Sequence, residues 1–273
     1  MRTKAFTDLF VGAYGLTRRT GLLKMSWTRR GFVGCAFLYK RLYEDPFWGL
    51  VRRNPSLFSG GDVLDLGANI GYTACVFASA IQADSTVYAF EPDPWTYDIL
   101  NETVSRRDLE SRIEPLNLAV GSSEGYLEFW HNKEHSADHR VVTEQFKGAH
   151  PDAKDFFPVP VTTVDSFVRS RKLSQISFLK MDVQGYEFSV CQGMRETVER
   201  FPEMCVCFEY SPESLREAGS NPADLLEFFR SRRYRFYVLE RTTMKVVSDT
   251  ASIETMMGGA GYVDLLCCKQ TID

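Results

Sequence analysis

From residue 60 onward, short runs of β-branched and aromatic residues alternate with longer segments whose apolar positions recur at helical spacing. Gly60-Gly61 punctuates the entry, and Val63-Leu64-Asp65-Leu66 is the first apolar run. Tyr72, Val76, Phe77 and Ala80 then share one helical face, which predicts a helix over 72–80. A β-rich run over 86–90 follows. Asp93-Pro94 opens a helix with proline in its first turn, carried by Tyr97, Leu100 and Val104 to about 109. Residues 113–120 read as a third strand, 126–130 as another, and the polar stretch 131–154 as a loop or lid. The run 159–164 is β-branched and alternating. Residues 176–182 and 204–209 read as buried strands, 188–201 and 222–233 as helices, and 235–240 with 262–268 as a closing antiparallel pair. Such alternation predicts an α/β fold, a mostly parallel sheet with helices on both faces. Ligands of these sheets bind beyond the carboxyl ends of the strands, where Asp65, Glu91, Asp182 and Glu209 all fall.

The turn after the first strand, Asp65-Leu66-Gly67-Ala68-Asn69-Ile70-Gly71-Tyr72, carries the most information. Gly67 and Gly71 allow close backbone approach, and Asn69 can hydrogen-bond within the turn. A dinucleotide fingerprint opens a helix N-terminus onto pyrophosphate, but here Asp65 would repel phosphate. An acid at this place suits a ligand with a cationic amino-acid end, and S-adenosyl-L-methionine is the candidate cofactor. Glu91, about 20 residues beyond the glycines, stands where a ribose diol is gripped in a βαβ unit.

These residues resemble the FkbM-type S-adenosylmethionine-dependent methyltransferases. The matching pieces are Asp65 to Tyr72, Phe90-Glu91-Pro92, Asn117-Leu118-Ala119-Val120-Gly121, Val161-Thr162-Thr163-Val164-Asp165-Ser166 and Lys180-Met181-Asp182-Val183-Gln184-Gly185-Tyr186-Glu187, extended by Val190-Cys191-Gln192-Gly193. The resemblance implies a class I methyltransferase (Rossmann-like) sheet of seven strands with an antiparallel last strand. It implies O-methylation of a hydroxyl on a sugar, glycolipid or secondary metabolite. It also implies cofactor contacts by Asp65, Gly67, Asn69, Gly71, Glu91, Asn117, Ala119 and Asp182. Gln184 departs from the family, which usually carries an acid there. The alternatives are methylation of RNA or protein, and a non-catalytic cofactor-binding module. A net charge of -4 and the lack of an Asn-Pro-Pro-aromatic run count against the first, and the intact Asp65, Gly67, Gly71 and Glu91 against the second.

Residues 1–59 form a basic, aromatic-rich N-terminal extension, expected to be helical, ahead of a methyltransferase domain over 60–273. Met1 to Arg41 holds nine Lys or Arg against one acid, Asp8. Its apolar runs fall short of the ~20 residues that span a bilayer. A solvated basic cap is preferred, with peripheral contact to anionic lipid or a lipid-linked acceptor as the second reading. The seven cysteines lie mostly in apolar runs without CxxC spacing. That argues against a disulfide framework and points to the cytoplasm.

Methyl transfer to oxygen needs alignment of donor and acceptor and removal of the acceptor proton. Asp182 is the first candidate base or orienting acid and Glu209 the second; each could equally be a structural carboxylate. The spacing of these acids does not demand a metal. His131, His135 and His139 are four residues apart, as on one helical face. Their segment is polar with no apolar stripe, so a solvated lid without metal is preferred; the alternative readings are a metal site and a general base on the lid, with His135 or His139 as that base.

Overall fold

The computed structural model describes residues 26–130, 140–154, 156–257 and 261–272. Helices α1 (Ser26–Tyr39) and α2 (Phe47–Arg53) precede the sheet. The strands of the main sheet are β1 (Asp62–Leu66), β2 (Val87–Phe90) and β3 (Ile113–Leu116), followed after a four-strand excursion by β8 (Ile176–Met181), β9 (Cys205–Tyr210), β10 (Arg235–Leu239), β11 (Met244–Val247) and β12 (Val263–Cys268). Their spatial order is β11-β10-β12-β9-β8-β1-β2-β3. Strands β1, β2, β3, β8 and β9 run parallel, while β12 lies antiparallel between β9 and β10. This is the expected seven-stranded arrangement with its antiparallel last strand, plus a short edge strand, β11, made by a hairpin from β10. Local chemistry supports the connecting helices. Asp93 caps the helix Pro94–Ser105 through the Thr96 amide, with proline at its first turn.

Four expectations are corrected, the first being the loop or lid read over 131–154, whose described part holds the strand Arg140–Val141 and a helix over Glu144–Ala149. Residues 113–120 are not one strand: β3 stops at Leu116, and β4 (Ala119–Val120) pairs with Val161 and Thr162 in a second sheet. The Asn117 side chain turns the corner by donating to the carbonyls of Glu91 and Pro92. The second sheet, ordered β4-β7-β5-β6, also contains β5 (Gly125–Trp130), β6 (Arg140–Val141) and β7 (Phe156–Thr162). The helix read over 188–201 is two, Glu187–Gln192 and Arg195–Arg200. They break at Gly193, where a Cβ would stand 2.1 Å from the Gly121 carbonyl. Finally, Cys205 on β9 and Cys268 on the neighbouring β12 form a disulfide, whereas the sequence argued against a disulfide framework; Cys35, Cys75, Cys191, Cys207 and Cys267 are free.

The extension is not detached from the sheet. Phe58, fully buried, packs its ring 4.6 Å from Phe178 on β8 and 5.4 Å from Phe77, and Phe47 meets Phe77 edge-on at 5.3 Å. Aromatic pairs at these separations add to the apolar burial that seals this face. Phe58→Ala is expected to cost about 3–5 kcal/mol in reversible chemical denaturation; a loss under about 1 kcal/mol would mean that this cluster does not anchor the extension.

Candidate functional site

The carboxyl ends of β1, β2, β8 and β9 open onto a cavity of about 500 Å³, within the size range of small-molecule sites. Its wall includes Gly67, Asn69, Glu91, Ala119, Asp182, Gln184, Glu209 and Asp264, with Lys40, Glu44, Asp45, Pro46 and Phe47 contributed by the extension. Of the residues singled out in the sequence, Gly67, Asn69, Glu91, Ala119, Asp182 and Glu209 therefore face one space.

Asp65 does not line that space. It is wholly buried beneath the turn, its Oδ2 accepting from the Thr73 hydroxyl at 2.6 Å and its Oδ1 lying 3.2 Å from Lys180 Nζ. The cation that answers Asp65 is thus supplied by the chain itself. Lys180, buried in β8, also donates to the Gly67 carbonyl at 2.8 Å and lies 3.7 Å from Asp182 Oδ2. Burial works against its charge, yet the acids around it, Asp65 first, lift its pKa to about 12. Sequence reasoning assigned Lys180 no role. The available signal was a lone charge inside the otherwise apolar run from Ile176 to Met181, because an isolated lysine is almost never buried without a partner.

Gly67 is a required glycine. Its φ is +75°, and a Cβ there would stand 1.9 Å from the Asp182 carbonyl. Asn69 is also left-handed, with φ 51°, and its amide donates to Glu91 Oε2 at 2.9 Å. Glu91 Oε1 accepts from the Asp93 amide. Burial pushes Glu91 up to about 8 against those two bonds. Each carboxylate oxygen still has a lone pair to offer a ligand. Asn117 and Gly71 stand behind the wall, Asn117 holding the end of β2 as described and Gly71 beginning the helix Tyr72–Ala78.

On the opposite side, Gln184 donates to Asp182 Oδ1 at 2.8 Å, so the residue that departs from the family pattern holds the acid next to it. Glu187 is buried and folds back onto the amides of Val183 and Gly185, clamping the turn from within; burial moves it up to about 7. Glu209 and Asp264 are register partners on β9 and β12. Burial first, then the Asp182 charge, pushes both upward, Asp264 to about 7, and Asp264 adds to the rise of Glu209. Asp264 was not anticipated from sequence. His131, His135 and His139 lie outside the described residues. His150 is away from the cavity, its ring 4.6 Å from Phe146.

The site fits an elongated ligand with three kinds of chemistry. Glu91 offers hydrogen-bond capacity for a diol, the carboxyl groups of Asp182, Glu209 and Asp264 offer acceptors for an ammonium, and Phe90, Leu118, Ala119 and Val120 offer an apolar wall. That is the donor set S-adenosylmethionine requires. Sheet order and site together define a class I methyltransferase architecture. The family model for the methyltransferase FkbM domain matches residues 65–236, and the chain belongs to that family. Among its relatives is the hexuronic acid methyltransferase AglP of Haloferax volcanii, 30% identical over 140 residues, covering 50% of this chain and 52% of that protein. Another is the methyltransferase sdnD of Sordaria araneosa, 22% identical over 216 residues, covering 71% and 82%. A third is the 31-O-demethyl-FK506 methyltransferase FkbM of Streptomyces tacrolimicus, 23% identical over 181 residues, covering 59% and 68%. The match thus spans about half the length of the first relative.

The upward shifts have a consequence for stability. A carboxyl whose folded pKa lies above its ordinary value keeps a proton that the unfolded chain releases, so stability falls as pH rises between the two values. For Glu91 and Glu187 that window starts at 4.5 and ends at about 8 and about 7, respectively. The melting temperature is therefore expected to drop as pH climbs from 5 to 8, and Glu91→Gln to flatten the drop. A melting temperature that rises across this window in calorimetric scans would contradict the assignment.

Proposed function

We propose that the protein is an S-adenosylmethionine-dependent methyltransferase that transfers the methyl group to a hydroxyl of a sugar, glycolipid or secondary metabolite. The observation that carries this reading is one cavity with Glu91 at one side and Asp182, Glu209 and Asp264 at the other. The names of the relatives, a hexuronic acid methyltransferase and a 31-O-demethyl-FK506 methyltransferase, favour acceptors of that kind.

When bound, S-adenosylmethionine supplies an electrophilic methyl on a sulfonium whose leaving group is neutral and needs no acid. Glu91, with the turn Gly67–Asn69 beside it, holds the ribose. Ala119 and Val120 cover an apolar ring. Asp182, fixed by Gln184 and Lys180, accepts or orients the acceptor proton, the step a hydroxyl nucleophile requires. Glu209 and Asp264, protonated more readily than ordinary carboxyls, hydrogen-bond the acceptor as donors as well as acceptors. Asp65 acts behind the site, by keeping Lys180 and Thr73 in place. The peripheral contact of the basic extension with an anionic or lipid-bearing partner belongs to this proposal.

Titration calorimetry with S-adenosylmethionine is expected to give one binding event. Glu91→Ala should weaken it by about tenfold or more, the loss of the hydrogen-bond partner for the ribose diol. Asp182→Asn should keep cofactor affinity and lower incorporation of labelled methyl into lysate acceptors by roughly 100-fold or more. Absence of binding by the intact chain sinks the reading, and full incorporation by Asp182→Asn moves the base elsewhere.

A further inference from the structure

Helix α1 is apolar on two sides. One side is buried against the body: Ala36, Val33 and Phe37 pack with Ile70, Ile99 and Trp95, and the Phe37 ring meets Tyr72 at 5.1 Å. Arg29 bridges to Glu102 at 2.6 Å, and Arg107 lies over the Phe37 ring at 4.2 Å. The helix is thus fastened to the catalytic body.

The other side faces outward. Trp27 is 64% exposed, Leu38 58% and Leu42 46%. Gly31, Gly34 and Cys35, also exposed, lie between them at helical spacing, so that 27, 31, 34, 35 and 38 form one stripe and 42 extends it. Of the eight large apolar side chains most exposed among the described residues, four fall between Trp27 and Tyr43. A surface helix normally presents charge on the face turned from its core, and one apolar all round is covered on every side. Single exposed apolar residues need no explanation, but a stripe of them marks a contact surface.

Charge says what contacts it. Arg30 and Arg41 flank the stripe and are exposed. Nine Lys or Arg stand against one acid from Met1 to Arg41, whereas the whole chain is at -4, so the excess positive charge is confined to this end. Apolar side chains led by a tryptophan, bordered by arginines whose stems can lie along the acyl boundary, suit the interface of an anionic bilayer. No helix among the described residues is long and apolar enough to cross a membrane.

We propose that the outer face of α1 docks the protein on an anionic lipid surface. The stripe ends where the cavity begins, since Lys40, Glu44, Asp45, Pro46 and Phe47 form part of the cavity wall. Docking through Leu38 and Leu42 therefore brings the cavity entrance to the lipid headgroups, and the acceptor class becomes a hydroxyl carried on a lipid. The docking itself is independent of methyl transfer; only the acceptor assignment rests on the function proposed above.

The test is flotation of the full chain with two kinds of vesicle, phosphatidylcholine alone and phosphatidylcholine mixed with an equal part of phosphatidylglycerol. The wild type is expected to float with the mixed vesicles and not with the neutral ones, and to be released by high salt. The double variant Leu38→Glu, Leu42→Glu should lose about tenfold or more of this binding, with melting temperature and S-adenosylmethionine heat unchanged as proof that the body is intact. Arg30→Glu should weaken it further. No flotation of the wild type overturns the proposal. So does flotation unaffected by the double variant, which would place the contact elsewhere, and so does a dimer that the double variant breaks without any vesicle binding, which would assign the face to a second copy. Flotation in a protein that gives no heat with S-adenosylmethionine keeps the surface and discards the methyltransferase reading.

Discussion

A single buried ammonium holds the site together. Lys180 reaches back from β8 to β1, pairing with Asp65 and donating to the Gly67 carbonyl, and extends forward to within 3.7 Å of Asp182. It therefore joins the turn on the cofactor side to the acid on the acceptor side. Removing one partner of a buried pair costs about 3–5 kcal/mol, because the other charge is left without water or counter-ion. Gly67 makes the same junction from the backbone side, since only a residue without Cβ fits against the Asp182 carbonyl. Sheet neighbours β1 and β8, adjacent in space but more than a hundred residues apart, meet through these two residues.

The carboxylates at the strand ends look alike in sequence but do different work. Asp65 and Glu187 are turned inward and held by the chain, Asp65 by the Thr73 hydroxyl and the charge of Lys180, Glu187 by the amides of Val183 and Gly185. Glu91 is tied at both oxygens yet still lines the cavity. Asp182, Glu209 and Asp264 face the open space, and among them Asp182 alone has the Gln184 amide and the Lys180 ammonium beside it. The same physical need, a hydrogen-bond donor or a counter-charge for each desolvated carboxyl group, sorts them into structural and chemical groups.

Much of this was legible in the residues. Helical and alternating periodicity placed the main strands and the closing antiparallel pair, because those elements bury apolar side chains at regular spacing. The motif around Gly67 and the acid at Glu91 were readable because a left-handed turn and a strand-end carboxylate leave local marks. The second sheet was half legible: β5 and β7 overlap runs read as strands, but β4 and β6 have two residues each, too short to show a period. The break at Gly193 depends on the Gly121 carbonyl, a contact 72 positions away that no local pattern carries. Asp65 looked like a ligand contact because its partner, Lys180, approaches from a strand distant in sequence. Asp264 was hidden in a closing strand, and only pairing with Glu209 brings it to the cavity.

The central claim is that this cavity holds the methyl donor between Glu91 and the loop fixed by Lys180. The most direct measurement is a crystal structure of the protein grown with S-adenosylhomocysteine. The account predicts the ligand in this cavity, its ribose hydroxyls within hydrogen-bond reach of the Glu91 carboxylate and its sulfur on the side of Asp182. Ligand density at another place, or a ribose turned away from Glu91, would contradict it.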